Sequence, residues 1–315
     1  MNTENMVLVE DLDFDIDKLK IPNLNIDEEN CLKNHIAITK QIQEIDQLFH
    51  VFRYNLKMIL DHYKVYHDDR IEYLYSYSKK EIDYIIINTL VINYIGSAKS
   101  LIELIEAVLK SISNENLNIY IKFKKEYLTK EYDSKFSYRF LFCMRNFSQH
   151  GYLPISIDAN NRCFFDFNSI LSVSHFTFKK ELKDEMLEIK QKIYEKYKGY
   201  PKISFTRTIA EFNMEVIKLY QNFLDVIEDS LIESVQKVKK LIKKNPRLVH
   251  KSSDCLNNFV LYRLSDGTIH CFSKKDNPIK MINDMKDNVS NILQEESIEY
   301  EKIINTWEKN KIKEE

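Results

Sequence analysis

Nothing between Pro201 and Pro246 interrupts a helix. Apolar residues recur there at Ile209, Phe212, Val216, Leu219, Phe223, Ile227, Leu231, Val235, Val238 and Ile242, in steps of three and four. The spacing predicts one amphipathic helix over 205–244. At ~1.5 Å per residue it would run about 55–60 Å. That is longer than a compact bundle needs, so its basic end is expected to project.

Other segments repeat the pattern. Ile38, Ile42, Ile45, Phe49, Phe52, Leu56, Ile59 and Tyr63 mark a helix over 30–64. A second, over 79–113, is apolar on most sides from Ile85 to Leu109 and should be central. A third spans 134–150 and a charged one 177–198, ended by Gly199-Tyr-Pro201. Residues 151–168 read as loop with a short strand starting at Cys163. After Pro246 the character changes. Phe259-Val-Leu-Tyr-Arg-Leu and Ile269-His-Cys-Phe flank Asp266-Gly267, a hairpin signal. A final helix follows Pro278. The expected fold is a mainly α-helical bundle of long antiparallel helices, with a small C-terminal β-hairpin and helix. The expected organisation is an acidic arm over 1–29, a helical domain over 30–250 and a hairpin-helix appendage over 251–315.

A chain of 315 residues can bury a substantial core. Its net charge of −2 excludes a globally basic protein, but the charge is unevenly spread. Residues 1–30 carry nine acids against two Lys, which reads more simply as a terminal tail than as a shield over a basic cleft. From Ser234 to Ser253 there are Lys237, Lys239, Lys240, Lys243, Lys244, Arg247 and Lys251, and no acid. Such a run suits a phosphate backbone, and equally a solvated helix end. Five Cys, at 31, 143, 163, 255 and 271, do not form a disulfide or zinc framework. With an acidic N-terminus, they point to the cytoplasm. The apolar window Ile85–Ile105 contains Asn88, Asn93, Lys99 and Glu103, which argues against a membrane span. The four Gly, at 96, 151, 199 and 267, are isolated and form no phosphate loop, and no nucleophile elbow occurs. Asp61-His62 and His67-Asp68-Asp69 lack the spacing of known zinc motifs.

The chemistry gathers at Phe140-Leu-Phe-Cys-Met-Arg145-Asn146-Phe-Ser-Gln-His150-Gly-Tyr-Leu-Pro154. Tyr132-Asp133-Ser134 gives a helix-start signal, and Gly151 with Pro154 gives a stop. Arg145 can hold a phosphate in bidentate fashion as charge builds on it. His150, at the helix end, is a side-chain type that moves protons near neutral pH. Five residues are about 500° of helical turn, so the two side chains do not share a stripe. Either the helix end distorts or a second copy supplies the missing partner. Asn146 would orient His150 or a phosphate oxygen. Tyr138, Tyr152 and Ser148 read as packing residues before they read as ligands. So do Glu103 and Glu106 on the central helix.

The Arg145-Asn146-x-x-x-His150 pattern resembles the Arg-x(4–6)-His signature of the HEPN superfamily, with two long helical segments preceding it as in that family's bundle. The resemblance covers about residues 30–245, and only the motif is specific. It implies a metal-independent endoribonuclease that needs no cofactor, with catalytic residues Arg145, His150 and Asn146; the basic run then supplies the expected RNA-binding residues, Lys237, Lys239, Lys240, Lys243, Lys244 and Arg247. The implied reaction is attack of a 2′-hydroxyl on its own phosphate, leaving 2′,3′-cyclic phosphate and 5′-hydroxyl ends; DNA lacks the nucleophile. It further implies a homodimer with a composite cleft, and a toxin or anti-phage effector restrained by a cognate antitoxin protein or an inhibitory RNA. The rival expectations are a HEPN-like RNA- or protein-binding module without catalysis, and a helical adaptor with no RNA.

Overall fold

A computed structural model describes residues 20–65, 79–112, 118–158, 162–197, 202–251, 258–273 and 277–312. Most of the acidic arm, His67-Asp68-Asp69, the Gly199–Pro201 break and Cys255 lie outside the described residues. The chain is a mainly α-helical bundle with small antiparallel sheets, as the periodicity predicts. It divides into two compact units, residues 1–39 with 230–281 and residues 40–229 with 282–315.

In the first unit the start of α1 (Ile26–Val65) runs antiparallel to the end of α8 (Phe205–Lys244). Lys244 pairs with Glu28 at 2.8 Å, and Ser234 Oγ meets His35 Nδ1 at 3.0 Å. The start of α1 is fixed by a reciprocal cap. Glu28 N–H donates to Asn25 Oδ1 at 2.9 Å, and Asn25 N–H to Glu28 Oε2 at 3.2 Å. Strands β4 (Val249–Lys251), β5 (Asn258–Arg263) and β6 (Ile269–Ser273) form an antiparallel sheet in that order, with Tyr262 opposite His270. The β5–β6 turn is closed by Leu264 N–H on Thr268 O at 2.7 Å, with Gly267 at φ 89°, where a side chain would be strained. Leu32, Val238, Leu241, Leu248, Val260 and Tyr262 make the core. The basic end of α8 therefore does not project, because Val238 and Leu241 on its apolar face pack into this core.

The second unit is built on the rest of α1 and α8, with α2 (Lys79–Ile112), α5 (Phe136–Gln149), α7 (Lys180–Tyr197) and most of α9 (Pro278–Ile312). The hairpin and most of the last helix, grouped as one appendage by the sequence, thus fall in different units. Helices α1 and α8 again pair antiparallel, through Tyr220 Oη donating to Asp46 at 2.7 Å and Arg53 to Asn213 at 3.2 Å. Stacked rings join them, Phe49 on Tyr220 with centroids 4.1 Å apart. Helix α9 is antiparallel to α8, tied by Lys286 to Asp225 and Glu228 and by Tyr300 to Glu211. Helix α2 is long and apolar enough over Asp83–Ile112 to cross a membrane by length and composition. In this structure Ile87, Val91, Tyr94, Ile95 and Ala98 on it are fully buried within the unit.

Three parts of the second unit differ from the sequence expectation. Helix α5 does not start at the Tyr132-Asp133-Ser134 signal. Those residues end α4 (Lys130–Ser134), and the N-cap of α5 is Lys135, without a side-chain cap. The Arg139 guanidinium instead covers that junction. It donates to the Tyr132 and Asp133 carbonyls at 2.6 Å each and to Glu185 at 2.5 Å. Before α4, helix α3 (Asn118–Phe123) passes into a π-helical turn over Lys124–Thr129. The expected lone strand is the middle of a sheet, β1 (Ile155–Ile157), β2 (Cys163–Asp166) and β3 (Lys202–Ser204), and Asp166 caps α6 (Phe167–Ser172).

Candidate functional site

Helix α5 buries Phe140, Leu141, Met144 and Phe147, and so turns Arg145, Asn146 and Gln149 outward. Its C-terminus is closed at the expected place. His150 is the C-cap, its N–H donates to Phe147 O at 3.2 Å, and Gly151 follows at φ 86°. Downstream, Asn88 of α2, fully buried, clamps Ile155. Its Oδ1 accepts the Ile155 N–H at 2.9 Å, and its Nδ2 donates to the Ile155 carbonyl at 3.1 Å. The backbone after His150 is thus held at both ends, by Gly151 and by Asn88.

Arg145 separates two clefts. The larger, about 540 Å³, lies between α2, the π-turn, α5 and the segment before α7, and takes in Lys99, Glu106, Lys124, Phe142, Arg145, Asn146, Phe176 and Lys179 among others. The smaller, about 450 Å³, is lined by Asn55, Asn93, Gly96, Arg145 and Gln149 with Ile92 and Ser100. Among the described residues the Arg145 guanidinium meets two neutral acceptors, Asn146 Oδ1 and Gln149 Oε1, both at 3.4 Å. Such long contacts leave most of its donors open for an anion.

His150 is exposed and lines neither cleft. Its ring meets the edge of Phe176 with centroids 5.5 Å apart, and Phe176 itself borders the larger cleft. The structure brings Arg145 and Asn146 together and leaves His150 beyond Phe176, with no distortion of the helix end to close the gap. Asn146 bonds Arg145, not His150. Of the packing candidates, Ser148 Oγ donates to Met144 O at 2.8 Å, and Tyr152 lies against Phe147. Tyr138 borders the cleft but is buried. Glu106 does face the cleft, where it accepts from Tyr120 Oη at 3.1 Å and Lys110 at 3.5 Å, whereas Glu103 pairs with Lys99 at 3.5 Å.

Cys143 also borders the cleft, but burial pushes its thiol up to about 11, so it does not supply a thiolate near neutral pH. The Lys179 ammonium is stabilised by its hydrogen bond to Tyr132 Oη, 3.0 Å away, which raises its pKa. Lys124, Lys179 and the π-turn are the site features that sequence reasoning missed. For Lys124 and the turn the hint was the excess of seven basic over three acidic groups in 121–145, a stretch that does not include Lys179.

The basic run belongs to the first unit. Lys237 pairs with Glu233 at 3.0 Å and Lys244 with Glu28. Lys239, Lys240, Lys243 and Arg247 are exposed. Among the described residues no three His, Cys, Asp or Glu side chains gather as metal ligands, and His62 sits where burial lowers its pKa, partly offset by Asp83. Set against protein-family models, curated proteins and solved structures, the chain matches none of them.

Proposed function

We propose that this protein is a metal-independent endoribonuclease of HEPN type, acting as a homodimer in the cytoplasm. Arg145 stabilises charge on the phosphate, His150 moves the proton and Asn146 holds the Arg145 side chain in place. The observation that carries this reading is an arginine opposed by no carboxylate among the described residues, between two open clefts, five residues before an exposed histidine at a capped helix end. The reaction is 2′-hydroxyl attack giving cyclic-phosphate and 5′-hydroxyl ends, and the setting is a toxin or anti-phage effector restrained by an antitoxin protein or inhibitory RNA. Because His150 stands beyond Phe176, the histidine that serves one Arg145 comes from a second copy in this reading.

Wild type and His150→Ala expressed in a bacterial host, with mapping of RNA ends, test it. New 5′-hydroxyl ends and growth arrest with wild type alone are expected, unchanged when purified protein is assayed in EDTA. Activity lost on chelation sinks the mechanism.

A second reading, an RNA-binding module without catalysis, is favoured by the separation of His150 from the clefts that Arg145 borders. It predicts RNA affinity in wild type and His150→Ala alike, with no new ends from either.

A further inference from the structure

The basic end of α8 has its match in the chain itself. We propose that the alternating segment Asp11-Leu-Asp-Phe-Asp-Ile-Asp17 docks on the Lys239, Lys240 and Lys243 face of α8, as an acidic cover that a polyanion must displace. The contact lies within the first unit, involves neither Arg145 nor its clefts, and stands whether or not the chain cuts RNA.

The face makes the first argument. Over the last turns of α8, Val235, Val238 and Leu241 are buried, and the opposite side is lysine. Lys237 and Lys244 are matched, by Glu233 at 3.0 Å and by Glu28 at 2.8 Å. Lys239, Lys240 and Lys243 are exposed, with no ion-pair partner among the described residues. The helix dipole accounts for Lys243 and Lys244 in the last turn, where its effect is confined, but not for Lys239 and Lys240 behind them. Lys239 and Lys243, one turn apart, repel each other, and an anion laid across them relieves that repulsion.

Charge, position and spacing name the occupant. Glu28, Glu29 and Glu233 are already tied to Lys244, Lys33 and Lys237. The four carboxylates of 11–17 belong to the same unit and lie outside the described residues. The chain that leads back to them is held beside the run: Glu28 sits on Lys244, Leu24 packs on the unit's core and Asn23 pairs with Arg263. Asp17 is eight residues before Asn25, a span of at most ~26–29 Å, and Lys239 is ~7.5 Å of helix back from Lys244. An extended chain repeats on one side every ~6.6–6.8 Å, close to the ~6 Å of rise between Lys239 and Lys243. The alternation sets Asp11, Asp13, Asp15 and Asp17 in one such row, with Leu12, Phe14 and Ile16 on the other side; a helix would scatter the carboxylates. A tethered segment acts at an effective concentration in the millimolar range, so several individually weak surface pairs act together.

Carbodiimide coupling of the full chain, which joins a carboxylate directly to an amine, reads the contact without any variant. At ~10 mM salt, where charges act over ~30 Å, peptide mapping should find amides from Asp11, Asp13, Asp15 or Asp17 to Lys239, Lys240 or Lys243 within one chain; at ~1 M salt they should vanish. Absence of those amides at low salt overturns the proposal, as does coupling to Lys192, exposed on α7, as often as to Lys240. Coupling found only between chains assigns the segment to a second copy and overturns it too. Titration with inorganic polyphosphate reads the consequence. Asp11→Asn, Asp13→Asn, Asp15→Asn and Asp17→Asn together should tighten binding about threefold or more, because the face no longer has to be cleared. With Lys239→Gln, Lys240→Gln and Lys243→Gln also present, the same four changes should leave affinity unaltered. A gain that persists there is an effect of overall charge, and no gain in the first variant means that nothing covers the face; either result overturns the proposal.

Discussion

Each unit carries a concentration of positive charge, and the two are organised differently. On the end of α8, Lys237 and Lys244 are tied to Glu233 and Glu28, while Lys239, Lys240 and Lys243 fan out over a convex helix surface. Around Arg145, cations from the π-turn, α5 and the segment before α7 converge on one cleft with aromatic walls. The first arrangement is dense in sequence and dispersed in space. The second is scattered in sequence and dense in space. Charge density along a chain therefore says little about where a phosphate would be held; curvature and the disposition of the carboxylates decide it.

The comparison breaks most visibly in catalysis. If the convergent cluster serves cleavage, Arg145→Ala and His150→Ala each lower the rate by at least about 100-fold, with unfolding midpoints unchanged. Loss of cleavage in Lys239→Ala but not in Arg145→Ala would reverse the assignment of the two clusters.

A smaller effect tests how the convergent site is anchored. Asn88→Ala leaves the buried N–H and C=O of Ile155 without their side-chain partners. It should cost ~1–3 kcal/mol in urea unfolding and speed exchange of the Ile155 amide. The dispersed run has no counterpart of this clamp, and Lys239→Ala with Lys243→Ala should not change stability measurably. If the run contacts a nucleic-acid backbone, each substitution lowers the slope of log affinity against log salt by about 0.7–0.9. An unchanged slope would leave the run as helix-end solvation.

The smallest expected effect is a pH dependence in the first unit. Burial holds the His35 imidazole below its usual pKa, beside Ser234 and the Phe272 ring. The unfolded chain then binds the proton more readily than the folded one. The stability contributed by the neutral form is complete above the unfolded value of about 6.5 and is lost as pH falls from there through the folded value. His35→Gln should flatten the melting temperature over that window. A residual slope is expected from His62, whose pKa is lowered by burial in the same direction. A slope as steep in the variant as in wild type would assign the effect elsewhere.

The long helices were legible because their signal is periodic and repeated. The helix ending at Lys244 matched its expected bounds, and Asp266-Gly267 placed the hairpin turn. The start of α1 was readable too, since Asn25-x-x-Glu28 is a capping signature five residues upstream of the expected start. What escaped was short or non-local. Strands β1 and β3 are three residues each and exist through pairing with β2. The Asp133-Ser134 signal misled because Arg139, reaching back to the preceding carbonyls, replaced a cap. At the candidate site, the sequence marked Arg145, Asn146 and His150, and the His150 cap geometry agrees with the Gly151 stop. Neither the separation of His150 from the clefts nor the convergence of Lys124 and Lys179 on Arg145 leaves a trace in local sequence, because both arise from packing between distant segments.

The π-turn over Lys124–Thr129 has a consequence for how this chain could change over generations. Such a turn is a helix carrying a surplus residue. Deleting one residue there would let ordinary α-helix run through from α3 to α4 with the register of the flanking helix kept, because the wide turn takes up the surplus residue within a single turn. The change would fall on the turn itself, whose Lys124, Leu128 and Thr129 border the cleft. A one-codon deletion, normally a lesion in a helix, would here act as a discrete setting of the site, leaving the scaffold in place and one wall of the cleft recut.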